Sequence, residues 1–169
     1  MPLMSNAAGN PPVVGAHEAM WANAMREAID CARAALEHGD VPVGAVVVDA
    51  LGTVVGSGRN LRERDDDPLG HAEVVALREA AATRGHWRLD DCSLVVTLEP
   101  CAMCAGAITQ ARIARLVFGA HDEKAGAVGS VWDVVRDPRV PHRTEVISGV
   151  LRAECASLLT EFFRAQRGG

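Results

Sequence analysis

Apolar positions change their period several times along this chain, and the changes mark out its elements. Over residues 17–38, Trp21, Met25, Ala28, Ile29, Ala32 and Leu36 recur three or four apart, which is one apolar face of a helix. Gly39 then supplies a stop. Residues 43–49 form a continuous β-branched run, sized for a buried strand, and residues 53–58 form a second strand behind a short turn around Leu51-Gly52. Residues 60–70 are polar and contain Asp65-Asp66-Asp67-Pro68, the composition of a loop. A second helix is predicted over 71–84, closed by Gly85, with Val74, Val75 and Leu77 as its core contacts. Residues 93–98 read as a third strand, broken by Pro100, and residues 101–112 as a helix. A fourth strand over 115–119, a fifth over 145–148 and a terminal helix over 152–166 complete the pattern. That last helix places Leu158, Leu159, Phe162 and Phe163 on its apolar side. Between the last two strands, residues 120–142 read as a long loop with one helical turn near Trp132.

This order predicts an α/β protein: a three-layer α/β/α sandwich around a five-stranded mixed sheet. The first two strands are expected to pair antiparallel across their tight turn. The third strand, its helix and the fourth strand form a natural right-handed parallel crossover. Residues 1–15 are rich in Pro, Gly and Asn and read as a flexible tail, leaving 16–169 as one domain. They lack the basic start and apolar core of a secretory signal, so the cytoplasm is the expected compartment. The longest apolar runs are strand-sized, which excludes a membrane-spanning helix.

Composition narrows the classes further. A hydrophobic content of 49% excludes a disordered chain, and 169 residues bury a core without disulfide staples. The net charge of -5 supplies no global attraction for nucleic acid. Acidic residues outnumber basic ones before residue 105 and the balance reverses after it, so a polyanion would meet the second half first. The five cysteines are an odd number with no secretory signal, which argues against a disulfide framework. In a reducing compartment a close pair points instead to metal binding or redox chemistry.

Two segments carry the chemistry. His71-Ala72-Glu73 and Pro100-Cys101-Ala102-Met103-Cys104 each fall at a predicted helix start. One imidazole and two thiolates are zinc ligands, and a catalytic zinc keeps three protein ligands and one open position. Cys101 and Cys104 stand three apart, so both sulfurs share one side of a helix whose N-terminus favours thiolates. Glu73 lies beside this set without being needed as a ligand, as a proton carrier would. A redox Cys pair leaves His71 and Glu73 unexplained, and a structural zinc needs a fourth ligand, for which His86 and Cys92 lie far from the helix starts. The whole set follows the H-x-E…P-C-x-x-C signature of zinc nucleobase deaminases.

The chain resembles the bacterial tRNA-specific adenosine deaminases, the TadA family of the cytidine deaminase-like superfamily. The segments that carry the resemblance are Val41 to Val48, Gly58-Arg59-Asn60, Gly70 to Glu73, Thr97 to Ala107, Arg115 to Ala120, Asp122 with Lys124 and Gly126, and Phe162-Phe163-Arg164. The resemblance implies conversion of adenosine to inosine at the wobble position of a tRNA anticodon, by a homodimer that touches the anticodon arm with both subunits. It implies one Zn2+ per subunit on His71, Cys101 and Cys104, with Glu73 as the proton shuttle. It implies that Asn60 and Asp122 bind substrate, the former at the flipped nucleotide and the latter near its ribose and backbone. Asn60 also reads as a loop-capping amide, and Asp122 as an exposed loop acid. The alternatives are a small-molecule deaminase of the same fold, acting on cytosine, guanine or a nucleoside, and a zinc-stabilised RNA-binding module with a dead site. The acidic run Asp65-Asp66-Asp67 departs from the family and suits a phosphate backbone poorly.

Other conspicuous residues read as structure. Cys31 and Cys155 are expected as small buried hydrophobes, and Cys92 has no evident partner. Trp21, Trp87 and Trp132 are expected as packing anchors, and Phe162 and Phe163 as core. The histidines other than His71 are expected at the surface or in packing, with His121 and His142 in segments that the family uses near RNA.

Overall fold

The structure is a computed structural model that describes residues 15–169, so the expected tail over 1–14 lies outside the described residues. Gly15 itself is tied to the first helix, its amide donating to Glu18 Oε2 at 3.3 Å. In chain order the elements are α1 (Ala16–Ala35), β1 (Gly44–Val48), β2 (Val54–Arg59), α2 (Arg62–Asp65), α3 (Ala72–Arg84), β3 (Ser93–Leu98), α4 (Ala102–Gln110), β4 (Arg115–Ala120), β5 (Glu145–Ser148) and α5 (Arg152–Arg167). The strands form one sheet in the order β2-β1-β3-β4-β5. β1 pairs antiparallel with β2 and β3, whereas β3–β4 and β4–β5 are parallel, as the mixed-sheet reading requires.

The three central strands are apolar at almost every position because both faces of the sheet are covered. Alternation sorts their side chains. Ala45, Val47, Leu94, Val96, Leu116 and Phe118 join one core with Ala76, Ala80 and Ile108 from α3 and α4. Val46, Val48, Val95 and Val117 join the other, with Trp21, Met25 and Ile29 from α1 and Cys155 from α5. This is the predicted three-layer sandwich.

α3 and α1 lie directly against strand backbone. α3 buries Ala72, Ala76, Leu77 and Ala80, whereas the expected Val74 and Val75 are half-buried. The reason lies in the facing strand: a Cβ added at Gly56 or Gly58 would run into the backbone of Ala76 and Ala80, or of Ala72 and Ala76. Bare strand backbone meets an alanine stripe, and no branched side chain fits between them. Gly44 does the same on the other face, where a Cβ would meet the carbonyl of Ala28 and the amide of Ala32 in α1.

Other expectations are corrected. Leu36 leaves the apolar face of α1, because a 3-10 turn over Leu36–His38 rotates it outward to 43% exposure. The polar stretch before α3 holds one short helix, α2, followed by a cap residue, Asp66, with φ +49°. The helical turn expected near Trp132 is absent: residues 126–133 instead make isolated bridges, Cys101 with Gly126 and Val128 with Asp133. Trp21 is the packing anchor expected, but Trp87 and Trp132 are 57% and 61% exposed. Cys155 is buried, and Cys31 only partly so. No helix among the described residues is long and apolar enough to cross a membrane.

Overpacking against backbone cannot be relieved by a rotamer change. Gly58→Ala and Gly44→Ala are therefore expected to cost about 3 kcal/mol or more. Gly85→Ala, at a helix end with φ +68° and open space around it, is expected to cost only about 1 kcal/mol. Urea denaturation midpoints for the three variants check this ranking.

Candidate active site

The site lies at the carboxyl ends of the parallel strands, the usual place for ligands in open α/β sheets. β3 runs into Glu99-Pro100-Cys101, β4 runs into His121-Asp122, and α3 begins just beyond His71. His71 is the N-cap of α3 and Cys101 the N-cap of α4, both extended in backbone. Cys101 thus stands one residue ahead of its helix rather than inside it, and Cys104 lies in the first turn. Both helices point their positive ends at the site.

His71 Nδ1 lies 3.5 Å from Cys101 Sγ and 3.5 Å from Cys104 Sγ. The three donor atoms all lie within 4.8 Å of one another. Zinc–nitrogen and zinc–sulfur bonds of roughly 2.1 and 2.3 Å at a tetrahedral angle give an N···S edge of about 3.6 Å. The residues present fit a zinc ion on a three-ligand catalytic pattern. Neither residue considered as a fourth ligand, His86 or Cys92, belongs to the cluster.

The thiols share protons unequally in the metal-free protein. The Cys104 thiol donates to Cys101 and His71 stands alongside, so the Cys101 thiol falls to about 3 while burial opposes the shift. The same contact, with burial, drives Cys104 upward. His71 is raised first by its hydrogen bond to Cys101. Glu73 is buried at 4% exposure, and desolvation lifts its carboxyl above the usual range, with His71 pulling the other way.

A cavity of about 600 Å³ opens over these residues, within the usual size of a small-molecule site. It is lined by His71, Glu73 and Cys101, by Asn60 and Asp122, and by Arg62, His121, Lys124, Leu159 and Phe163. Every residue singled out from the sequence except the buried Cys104 lines this space. Asn60 is partly committed to its own loop: Nδ2 donates to the Val41 carbonyl at 3.3 Å, and Oδ1 accepts from Arg62 N–H at 3.1 Å. One hydrogen and one lone pair of the amide are left over. Asp122 Oδ1 accepts from the amides of Lys124 and Ala125, at 3.0 and 3.2 Å, so it shapes its turn as well as facing the cavity.

Comparison with known proteins agrees with this geometry. The cytidine and deoxycytidylate deaminase zinc-binding region matches residues 20–120. The tRNA-specific adenosine deaminase of Haemophilus influenzae is 48% identical over 143 residues, covering 85% of this chain and 83% of that protein. That of Bacillus subtilis is 45% identical over 143 residues, covering 85% and 88%. The chain belongs to the tRNA-specific adenosine deaminase family. A solved structure from work on A-to-I editing by tRNA:A34 deaminases at the wobble position of transfer RNA is 42% identical, with a TM-score of 0.78 over 81% of this chain and 99% of that one.

Several residues of the cavity wall lie beyond the expected site set of this family member. Phe163, expected as core, is 46% exposed at the cavity, and it meets Phe162 edge-on at 5.3 Å. Helical period shows which side of α5 is apolar but not where that side runs off the sheet. Arg62 and Lys124 each stand two positions after a motif residue, Asn60 and Asp122; Lys124 is also among the residues that carry the family resemblance, and for Arg62 that nearness is the signal the sequence offers. Within the acidic run, Asp67 Oδ1 accepts from Leu69 N–H at 2.9 Å and shapes its turn, while Asp65 pairs with Arg64 at 3.3 Å on the surface.

Thiolate content and access together set alkylation. At pH 8, Cys101 of the chelator-treated protein is expected to react with iodoacetamide first, since that pH lies far above its lowered value. Cys92 and Cys155, buried and raised to about 11 and about 12, are expected to stay unmodified. Zinc loading is expected to protect Cys101. Peptide mass spectrometry over time reads all three sites.

Proposed function

We propose that this chain is a zinc-dependent hydrolase that converts adenosine to inosine, releasing ammonia, at the wobble position of a tRNA anticodon. The observation that carries the reading is the continuity of the cavity with a second hollow of about 430 Å³ along α5. The two share Lys124, Leu159 and Phe163, and the second adds Thr160, Gln166 and Arg167. A free base would need only the first space. A nucleotide within a strand needs a path for its neighbours, cations for phosphates and an exposed ring for stacking. Lys124, Arg167 and Phe163 offer these. The relatives named above are tRNA-specific enzymes, which supports the same choice.

In this reading His71, Cys101 and Cys104 hold the zinc. When bound there, zinc acts as a Lewis acid that makes water a nucleophile at neutral pH. Glu73 is the proton shuttle, used twice: its carboxylate carries one proton of the attacking water to the purine ring nitrogen, and then carries the second, from the added hydroxyl, to the amine, which leaves as ammonia while the hydroxyl oxygen becomes the carbonyl. Its burial serves that cycle, because a desolvated carboxylate accepts a proton more readily than one in water. Asn60 uses its remaining donor and acceptor on the flipped nucleotide, and Asp122 accepts from the ribose 2′-hydroxyl. The enzyme works in the cytoplasm, where its substrate is.

A panel of zinc-loaded assays checks the function. Inosine is expected in an anticodon stem-loop with adenosine at the wobble position, and none in its guanosine control or in free adenosine, cytidine, cytosine or guanine. Turnover of a free base with a silent stem-loop would overturn the substrate. Glu73→Ala is expected to lower the rate by at least about a hundredfold while zinc content and RNA binding persist. Asn60→Ala is expected to raise KM more than it lowers kcat.

The chain also acts as a homodimer in this reading. Val131 and Trp132 expose adjacent apolar side chains at 47% and 61%, surface that a partner subunit would cover. Sedimentation of the wild-type protein is expected to give two chains per particle, and Trp132→Ser is expected to weaken that association.

A further inference from the structure

Glu99 is a buried charged group that the reaction above does not use. Its side chain is 0% exposed, and it sits between β3 and the Pro100-Cys101 segment. Four donors converge on its carboxylate. Oε1 accepts from the amides of Val128 and Ser130, at 3.1 and 3.0 Å. Oε2 accepts from the Asp122 amide at 3.0 Å and from the Ser130 hydroxyl. Among the described residues no lysine or arginine pairs with it, and the basic atom in reach is His121 Nδ1 at 3.6 Å.

All of these groups belong to one loop, residues 121–130, which brings His121, Asp122 and Lys124 to the cavity wall. The loop has no helix or ladder of its own to satisfy its backbone, so the carboxylate supplies the acceptors. Gly126 fits the same arrangement, since a Cβ there would strike Glu99 Cδ and Oε2. The clamp is continued by main-chain contacts to the cysteine segment, with Ala127 N–H donating to the Pro100 carbonyl at 2.8 Å.

We infer that Glu99 is a positioning residue for the reaction, acting through the 121–130 loop to hold Asp122 and His121 in register with the bound nucleotide. The inference rests on the reading of the cavity as the adenosine site. It makes Glu99 a determinant of substrate fit, not of zinc retention or proton transfer. A glutamine of the same shape cannot replace it: one carbonyl oxygen cannot serve donors on both sides, and its NH2 must face at least one backbone N–H.

The test uses the zinc-loaded enzyme, with amide hydrogen exchange over residues 121–130 read beside steady-state kinetics on the anticodon stem-loop. Glu99→Gln is expected to keep wild-type zinc content. Exchange in the loop is expected to quicken by about tenfold or more while β3 and β4 stay protected, and KM to rise by about tenfold with kcat falling less than about threefold. Asp122→Ala is expected to cost less in the Glu99→Gln background than in wild type, because the two act through one loop. Ser130→Ala, which removes a single donor, is expected to move exchange and KM the same way by less. Unchanged loop exchange and KM in soluble, zinc-loaded Glu99→Gln would overturn the inference. So would a loss confined to kcat that tracks lost zinc. If Glu99→Gln does not fold, Ser130→Ala decides by the same two readouts. A wild-type enzyme silent on the stem-loop would sink the substrate reading alone, and loop exchange would still decide the clamp.

Discussion

The site depends on how closely α3 can approach β2. Gly56 and Gly58 leave the strand bare, and Ala72, Ala76 and Ala80 let the helix lie down on it. Ala72 is the first residue of α3, so the contact beneath it sets the height of His71 on one side and Glu73 on the other. A bulkier side chain at either surface would lift the start of the helix and carry both residues away from the cysteines. Packing, in this fold, is the first step of positioning.

The second step is electrostatic. α3 and α4 converge with their N-termini on one small volume, and each contributes through its cap residue. That arrangement gathers partial positive charge where a thiolate is wanted and where a metal ligand must be deprotonated. Glu73 stands in the same volume but is almost wholly buried, and its desolvation pushes in the opposite direction. One environment therefore holds a low-pKa sulfur at Cys101 beside a carboxyl inclined to take a proton. Hydrolytic deamination asks for both.

The third element is the loop between β4 and β5, which builds the far wall of the cavity without regular structure. Its amides turn to a single buried carboxylate, to the Pro100 carbonyl and to each other. This puts an anion close to the metal-ligand segment, stabilised by main-chain dipoles instead of a cation. From there the wall runs from Lys124 on to α5, where Phe163 and Arg167 extend the cavity along the protein surface.

Much of this was legible in the residues. The bounds of β3 and β5 follow from their residues, because short apolar β-branched runs closed by Pro100 and Gly149 carry their own period. His71, Glu73, Cys101 and Cys104 declared their chemistry by type and spacing, since ligand identity is a local property. What periodicity could not convey is which surface each side chain meets. Val74 and Val75 give way to alanines because of glycines on another element, and Trp87, Trp132 and Phe163 stand exposed although their local pattern reads as packing. Glu99 looked like one letter of a motif, and its four donors come from residues 23 to 31 positions away. Residue pattern alone is enough for the five strands, the four longer helices, their order and the reactive groups, because these follow from short-range period and chemical type. The distance between helix and strand, the wall of the cavity and the partner of each buried charge emerge only on folding, because they are set by contacts between segments remote in the chain.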